Sequence, residues 1–102
     1  MNTRAVNQEQ DLNPNLKTAH RQVSVTSGAA VGLGTLHVNT RYVIVQVITA
    51  AVRQRRDGTA PTASIGFQYA AGDMFVINAM TAINSSFIAE STTATLEIQE
   101  CV

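Results

Sequence analysis

From residue 20 onward the chain alternates apolar and polar residues with a period of two. Gln22-Val23-Ser24-Val25-Thr26 is one such run. In Thr93-Ala94-Thr95-Leu96-Glu97-Ile98-Gln99-Glu100, Ala94, Leu96 and Ile98 share one face while Thr93, Thr95, Glu97 and Gln99 share the other. Successive side chains of a strand point to opposite faces, so both runs predict strands with one face buried. Tyr42 to Ile48 differs, being β-branched and apolar on nearly both faces. It predicts a central strand covered on both sides, or one whose outer face meets a partner. Shorter strands are predicted over residues 51–56, 64–69, 74–78 and 86–90. No stretch of ten residues carries a helical stripe.

Six glycines punctuate these runs. Ala71-Gly72-Asp73 predicts a turn between strands, and Asp57-Gly58 a turn that tolerates positive φ. Pro61 cannot donate to a ladder and ends any strand that reaches it. Short strands separated by regular turn signals predict an all-β fold, a compact antiparallel β-sandwich of jelly-roll-like form. Residues 1–19 stand apart, being polar, rich in Asn and Gln, and interrupted by Pro14. They bury too little apolar surface to fold alone, which fits either a disordered tail or, as the inclination to assemble favours, an extended N-terminal arm that orders on a neighbouring subunit. Residues 20–102 form the β-sandwich domain.

Composition sharpens the picture. The chain has 102 residues, enough for one core. Charged residues make up 14%, the formal net charge is zero, and hydrophobic residues make up 45%. Weak charge gives little repulsion between copies, which favours assembly. It also argues against a nucleic-acid partner, which selects an excess of Lys and Arg. No apolar run reaches the length of a membrane span, and the N-terminal residues have no apolar core of the kind a signal peptide needs. The expectation is a soluble, cytosol-made protein with no membrane partner. Cys101 is the single cysteine, so no internal disulfide forms, and it is expected to be a small hydrophobe or a bystander near the chain end.

Candidate chemistry is sparse. Gly28-Ala29-Ala30-Val31-Gly32-Leu33-Gly34-Thr35 lacks the Lys of a phosphate loop, and His37 stands where a dinucleotide loop needs its third Gly. A turned β-connection is the better reading. His20 and His37 show no metal-ligand spacing, and no Ser sits in a nucleophile elbow. No catalytic residue, metal or cofactor is expected, and the chain is read as not an enzyme. Phe67, Tyr69, Phe75 and Phe87 fall in apolar strands and are assigned to the core.

The stretch at residues 53–62 carries the one concentration of charge. Arg53 and Arg55 are two apart and share a strand face, Arg56 follows, and Asp57 opens the turn. These four form either a solvated charged rim or a docking surface, since Arg binds carboxylates with two parallel hydrogen bonds and is enriched at interfaces.

Ala51-Val52-Arg53-Gln54-Arg55-Arg56-Asp57-Gly58-Thr59-Ala60-Pro61-Thr62-Ala63-Ser64-Ile65-Gly66 resembles a pattern in small structural proteins of tailed bacteriophages. There, too, an apolar strand precedes the segment, and an A-x-G-D/E turn, a phenylalanine-containing strand and a last alternating strand follow. Ala71-Gly72-Asp73, Ser86-Phe87-Ile88-Ala89 and Thr95-Leu96-Glu97-Ile98 stand at the matching places. The likeness covers roughly residues 41–100. Gln54 departs from it where relatives often carry an aromatic, and Arg56 where an acidic residue is common. The resemblance implies a virion structural protein, and for a chain this small and neutral a capsid decoration, or cement, protein. Its implied partner is the major capsid protein, on the outer surface of the head, in many copies or as a homo-oligomer. A tail, neck or fibre-base component is the alternative.

Overall fold

The computed structural model describes residues 20–101. Eight strands and one short helix follow in chain order: β1 His20–Val25, β2 Val31–Gly32, β3 Tyr42–Ile48, β4 Val52–Arg55, β5 Phe67–Tyr69, β6 Met74–Asn78, α1 Ala79–Ile83, β7 Ser86–Ala89 and β8 Ala94–Cys101. The pairing is nested. β1 pairs with β8, β2 with β7, β3 with β6 and β4 with β5, all antiparallel. Two further antiparallel pairs, β3 with β8 and β4 with β7, complete the sheets. One sheet therefore runs β1-β8-β3-β6 and the other β2-β7-β4-β5. This is the strand order of a jelly roll, a long hairpin of four pairs rolled into two packed sheets. The expected antiparallel sandwich is the observed fold.

The core lies between the sheets and follows the period-two pattern. Val43, Val45 and Val47 of β3 and Ala94, Leu96 and Ile98 of β8 are fully buried. Val52, Phe87 and Ala89 face them from the second sheet and are equally buried. Tyr69, Phe75 and Phe87 form an aromatic row between the sheets. The Tyr69 and Phe75 rings stack at 4.2 Å and 16°, with Phe75 and Phe87 6.3 Å apart. The row joins the edge strands β5 and β6 across the gap.

β3 is central in its sheet, between β8 and β6. Its inner face is buried, but Ile44, Gln46 and Ile48 on the outer face are only half-buried and Tyr42 is exposed. Among the described residues that outer face has no third layer over it. Met74–Asn78 and Tyr42–Ile48 match the predicted strands end for end. The strand predicted at 64–69 begins later. Thr62 and Ile65 exchange backbone hydrogen bonds of 3.0 and 3.3 Å, which commits Ala63 and Ser64 to the turn between them. The glycine-rich segment after β1 is a connection that also contributes the two-residue strand β2. The proposed arm, residues 1–19, lies outside the described residues.

One assignment to the core is corrected. Phe67 is 60% exposed. It pairs with Gln54 at the end of the short edge strand β5, where Gly66 turns the chain away. The Arg56 guanidinium lies over its ring, 5.2 Å from the centroid.

Candidate docking cleft at the end of β4

The four predicted docking residues sit at one end of the second sheet. Arg53 and Arg55 project from the outer face of β4, as their spacing requires, while Val52 and Gln54 point inward and are buried. Arg53 is held on both sides. Its Nε donates to Glu90 at 2.7 Å and its Nη1 to the Gly66 carbonyl at 3.1 Å. Arg55 donates to Asp57 at 2.6 Å. That guanidinium, together with the Thr59 amide at 3.1 Å, holds the Asp57 carboxyl below its usual range. The same Asp57–Thr59 bond closes the turn, and Gly58 follows with φ +82°.

Arg56 behaves differently. Its Nε donates to the Gln54 amide oxygen at 3.2 Å, and its Nη2 to the Tyr69 hydroxyl at 2.9 Å. All its partners are uncharged. Gln54 is fully buried and anchored from behind, its amide donating to Ser85 Oγ at 3.0 Å. Ser85 Oγ in turn donates to the Thr81 carbonyl of α1 at 2.7 Å. A polar chain thus runs from the helix through the interior to the Arg56 guanidinium. Gln54 orients an arginine from within the core.

Between the β4 end and the turn at residues 62–66 lies a cleft of about 390 Å³, lined by Gln54, Arg55, Arg56, Asp57, Ile65, Gly66 and Phe67. Ile65 and Phe67 are its exposed apolar members. Its groups offer two guanidiniums, one carboxylate and an amide, a set suited to hydrogen bonding and ion pairing rather than to holding a metal.

A second polar cluster gave no sequence signal. Glu100 occupies an inward position of β8 and is 3% exposed. It accepts hydrogen bonds from the His37 amide at 2.7 Å, the Thr40 hydroxyl at 2.9 Å and Arg21 Nη2 at 3.0 Å. Burial alone would push its carboxyl up, but these three donors outweigh it and hold the group below its ordinary value. The cluster ties the loop after β2 to β8 and β1. Glu100 and its donors come from three separate segments, and the pairing of β1 with β8 helps bring them together.

His20 contacts Glu97 at 2.8 Å and Gln99 at 3.3 Å, which together raise its pKa above the ordinary value. Cys101 is buried and free, and burial pushes its thiol up, as suits a small hydrophobe. Among the described residues no three His, Cys, Asp or Glu side chains converge as a metal site would need. No helix among them is long and apolar enough to cross a membrane. No family model, curated protein or solved structure matches this chain.

Proposed function

We propose that this chain is a virion structural protein of a tailed bacteriophage, a decoration protein that binds the outer surface of the head and stabilises contacts between major capsid subunits. The observation that carries the reading is where the phage-like motif falls. Its residues, with the adjoining Phe67, build a solvent-facing cleft in which Ile65 and Phe67 are exposed while Gln54 is fully buried. A segment that served only packing would hide its apolar side chains. Exposed aromatic and Arg side chains at one rigid end of a sandwich are the usual anchors of an interface.

The fold is compatible with this function without implying it. Jelly rolls occur in viral capsid domains, lectins and cupins. A cupin-type metal reaction needs a convergent set of ligating side chains, which the described residues do not assemble. The neutral, sparsely charged chain suits a molecule packed beside many copies of itself. Repetition supplies the strength: each contact contributes little, while many around a shell raise the work needed to burst it.

Co-sedimentation with expanded capsids that lack the protein tests the proposal. Saturable binding in a fixed ratio to the capsid subunit is the expected result. Failure to bind intact shells removes the decoration role and moves the chain to the tail, neck or fibre base.

A further inference from the structure

We propose that the cleft beside Arg56 receives a partner segment in which a carboxylate stands next to a bulky apolar side chain. The proposal names the partner chemistry of the docking stretch and rests on the virion reading for the source of that segment.

Charge is the first argument. Among the described residues, Arg21, Arg53 and Arg55 each pair with a carboxylate: Glu100, Glu90 and Asp57 respectively. Arg56 has no such partner, and its hydrogen bonds go to an amide and a phenol. The cleft walls therefore set two guanidiniums, Arg55 and Arg56, against one carboxylate, Asp57, leaving one positive charge unmatched. A single carboxylate complements it. A phosphate backbone gains most from several basic contacts, and this neutral chain gathers no broader basic surface here.

Preorganisation is the second. Gln54 and Tyr69 fix Arg56 from two sides, and its guanidinium lies over the Phe67 ring. The guanidinium carries more N–H donors than these two bonds use, in a planar fork that matches a carboxylate. A cation already held in place loses less freedom on binding.

The third argument is the apolar half of the site. Ile65 is 55% exposed and Phe67 60% exposed, both beside the charged wall. The cleft volume of about 390 Å³ is in the range that takes a side chain or two. An acidic residue alone would leave Ile65 and Phe67 wet. An apolar residue alone would desolvate Arg56 without pairing it, which is costly. A segment bearing both satisfies both walls.

The test is a nitrogen–proton NMR titration of the full chain with a blocked Gly-Leu-Asp-Leu-Gly peptide, its Asn counterpart, inorganic phosphate and a short single-stranded DNA. Titration to about 10 mM detects even a millimolar Kd. The Asp peptide should shift the Gly66 and Phe67 amides and the Arg56 Nε signal saturably. The Asn peptide, and the Asp peptide on Arg56→Gln, should bind about tenfold more weakly. Arg56→Lys, which keeps the charge but not the fork, should fall between, and Arg41→Gln should bind as wild type. The spectrum of each variant reports whether it is folded. No shift with the Asp peptide, equal shifts with the Asn peptide, or the same shifts with phosphate or DNA would each overturn the proposal. Shell binding separates this claim from the one it rests on. If wild type and Arg56→Gln sediment equally with capsids, the cleft is not the docking point and the decoration role stands. If the peptide binds but shells do not, the cleft stands and the decoration role falls.

Discussion

Gly66 has φ +137°, and a Cβ built there would lie 2.9 Å from the Gln54 carbonyl oxygen and 3.2 Å from its amide nitrogen. Both obstacles are backbone and cannot swing aside. Gly66→Ala should therefore cost about 2–3 kcal/mol through strain, read as a lower urea midpoint. It should also distort the cleft, because the Gly66 carbonyl accepts from Arg53. Glu100 supports a second prediction at this scale. Its folded-state pKa is depressed below the ordinary 4.5. The stabilisation it gives is present above that pH and is lost as pH falls through the folded value. Glu100→Gln keeps an oxygen for the His37 amide and the Thr40 hydroxyl but leaves Arg21 uncompensated. The expected loss at neutral pH is about 1–2 kcal/mol, discounted because the Arg21 side chain is a third exposed. Urea denaturation at neutral pH and at about pH 3 should show the gap between wild type and variant closing in acid. A gap that persists unchanged would mean that the carboxylate charge contributes nothing. Neither site is marked in the sequence. Gly66 is one of six glycines, and Glu100 ends a run whose other charged member, Glu97, faces outward.

The elements were legible to the extent that burial is local. The local pattern sufficed for β8, through its alternation, and for β3, through its β-branched run, because each lays one complete face on the core. It misled at β5, where strand-like composition placed Phe67 inside and the end of the sheet left it outside. It was silent on α1, since five residues carry no period, and on β2, whose two residues pair only because β7 lies alongside. The Arg53–Arg55 face followed from spacing alone. The partners of Arg53 did not, because Glu90 follows β7 and Gly66 precedes β5, both brought to β4 by pairing, whereas Arg55 meets Asp57 only two residues on. Corners between the sheets carry the strain. Thr49, between β3 and β4, has φ +83°, the one positive value among the described non-glycine residues. A β-branched residue there is held by the chain's need to cross from one sheet to the other. Thr49→Gly should relieve this and, after the added freedom of the unfolded glycine, raise stability by about 0.5–1 kcal/mol. A lower thermal midpoint for that variant would show that the Thr49 side chain contributes more than its backbone costs.

At the scale of the molecule, the nested pairing makes the first and last described strands neighbours: His20 lies opposite Gln99, and β1 closes the sheet on β8. Period two predicts strands but not which strands meet, so sandwich class was readable and the β1-β8-β3-β6 order was not. The same closure decides what can be removed. The buried apolar residues of the described segment run from Val25 to Cys101. A chain starting at Thr18 keeps every one of them and every described strand. Its urea midpoint should match that of the full chain to within about 0.5 kcal/mol. If residues 1–17 add contacts on a neighbouring subunit, the same truncation should weaken shell binding markedly, because each lost contact is repeated in every copy around the capsid. Co-sedimentation of both chains with the same shells decides the matter. Equal binding would assign docking to the sandwich alone and leave the cleft at Arg56 as the principal contact. A truncated chain that fails to fold would instead make residues 1–17 part of the domain, and the division at residue 20 would be wrong.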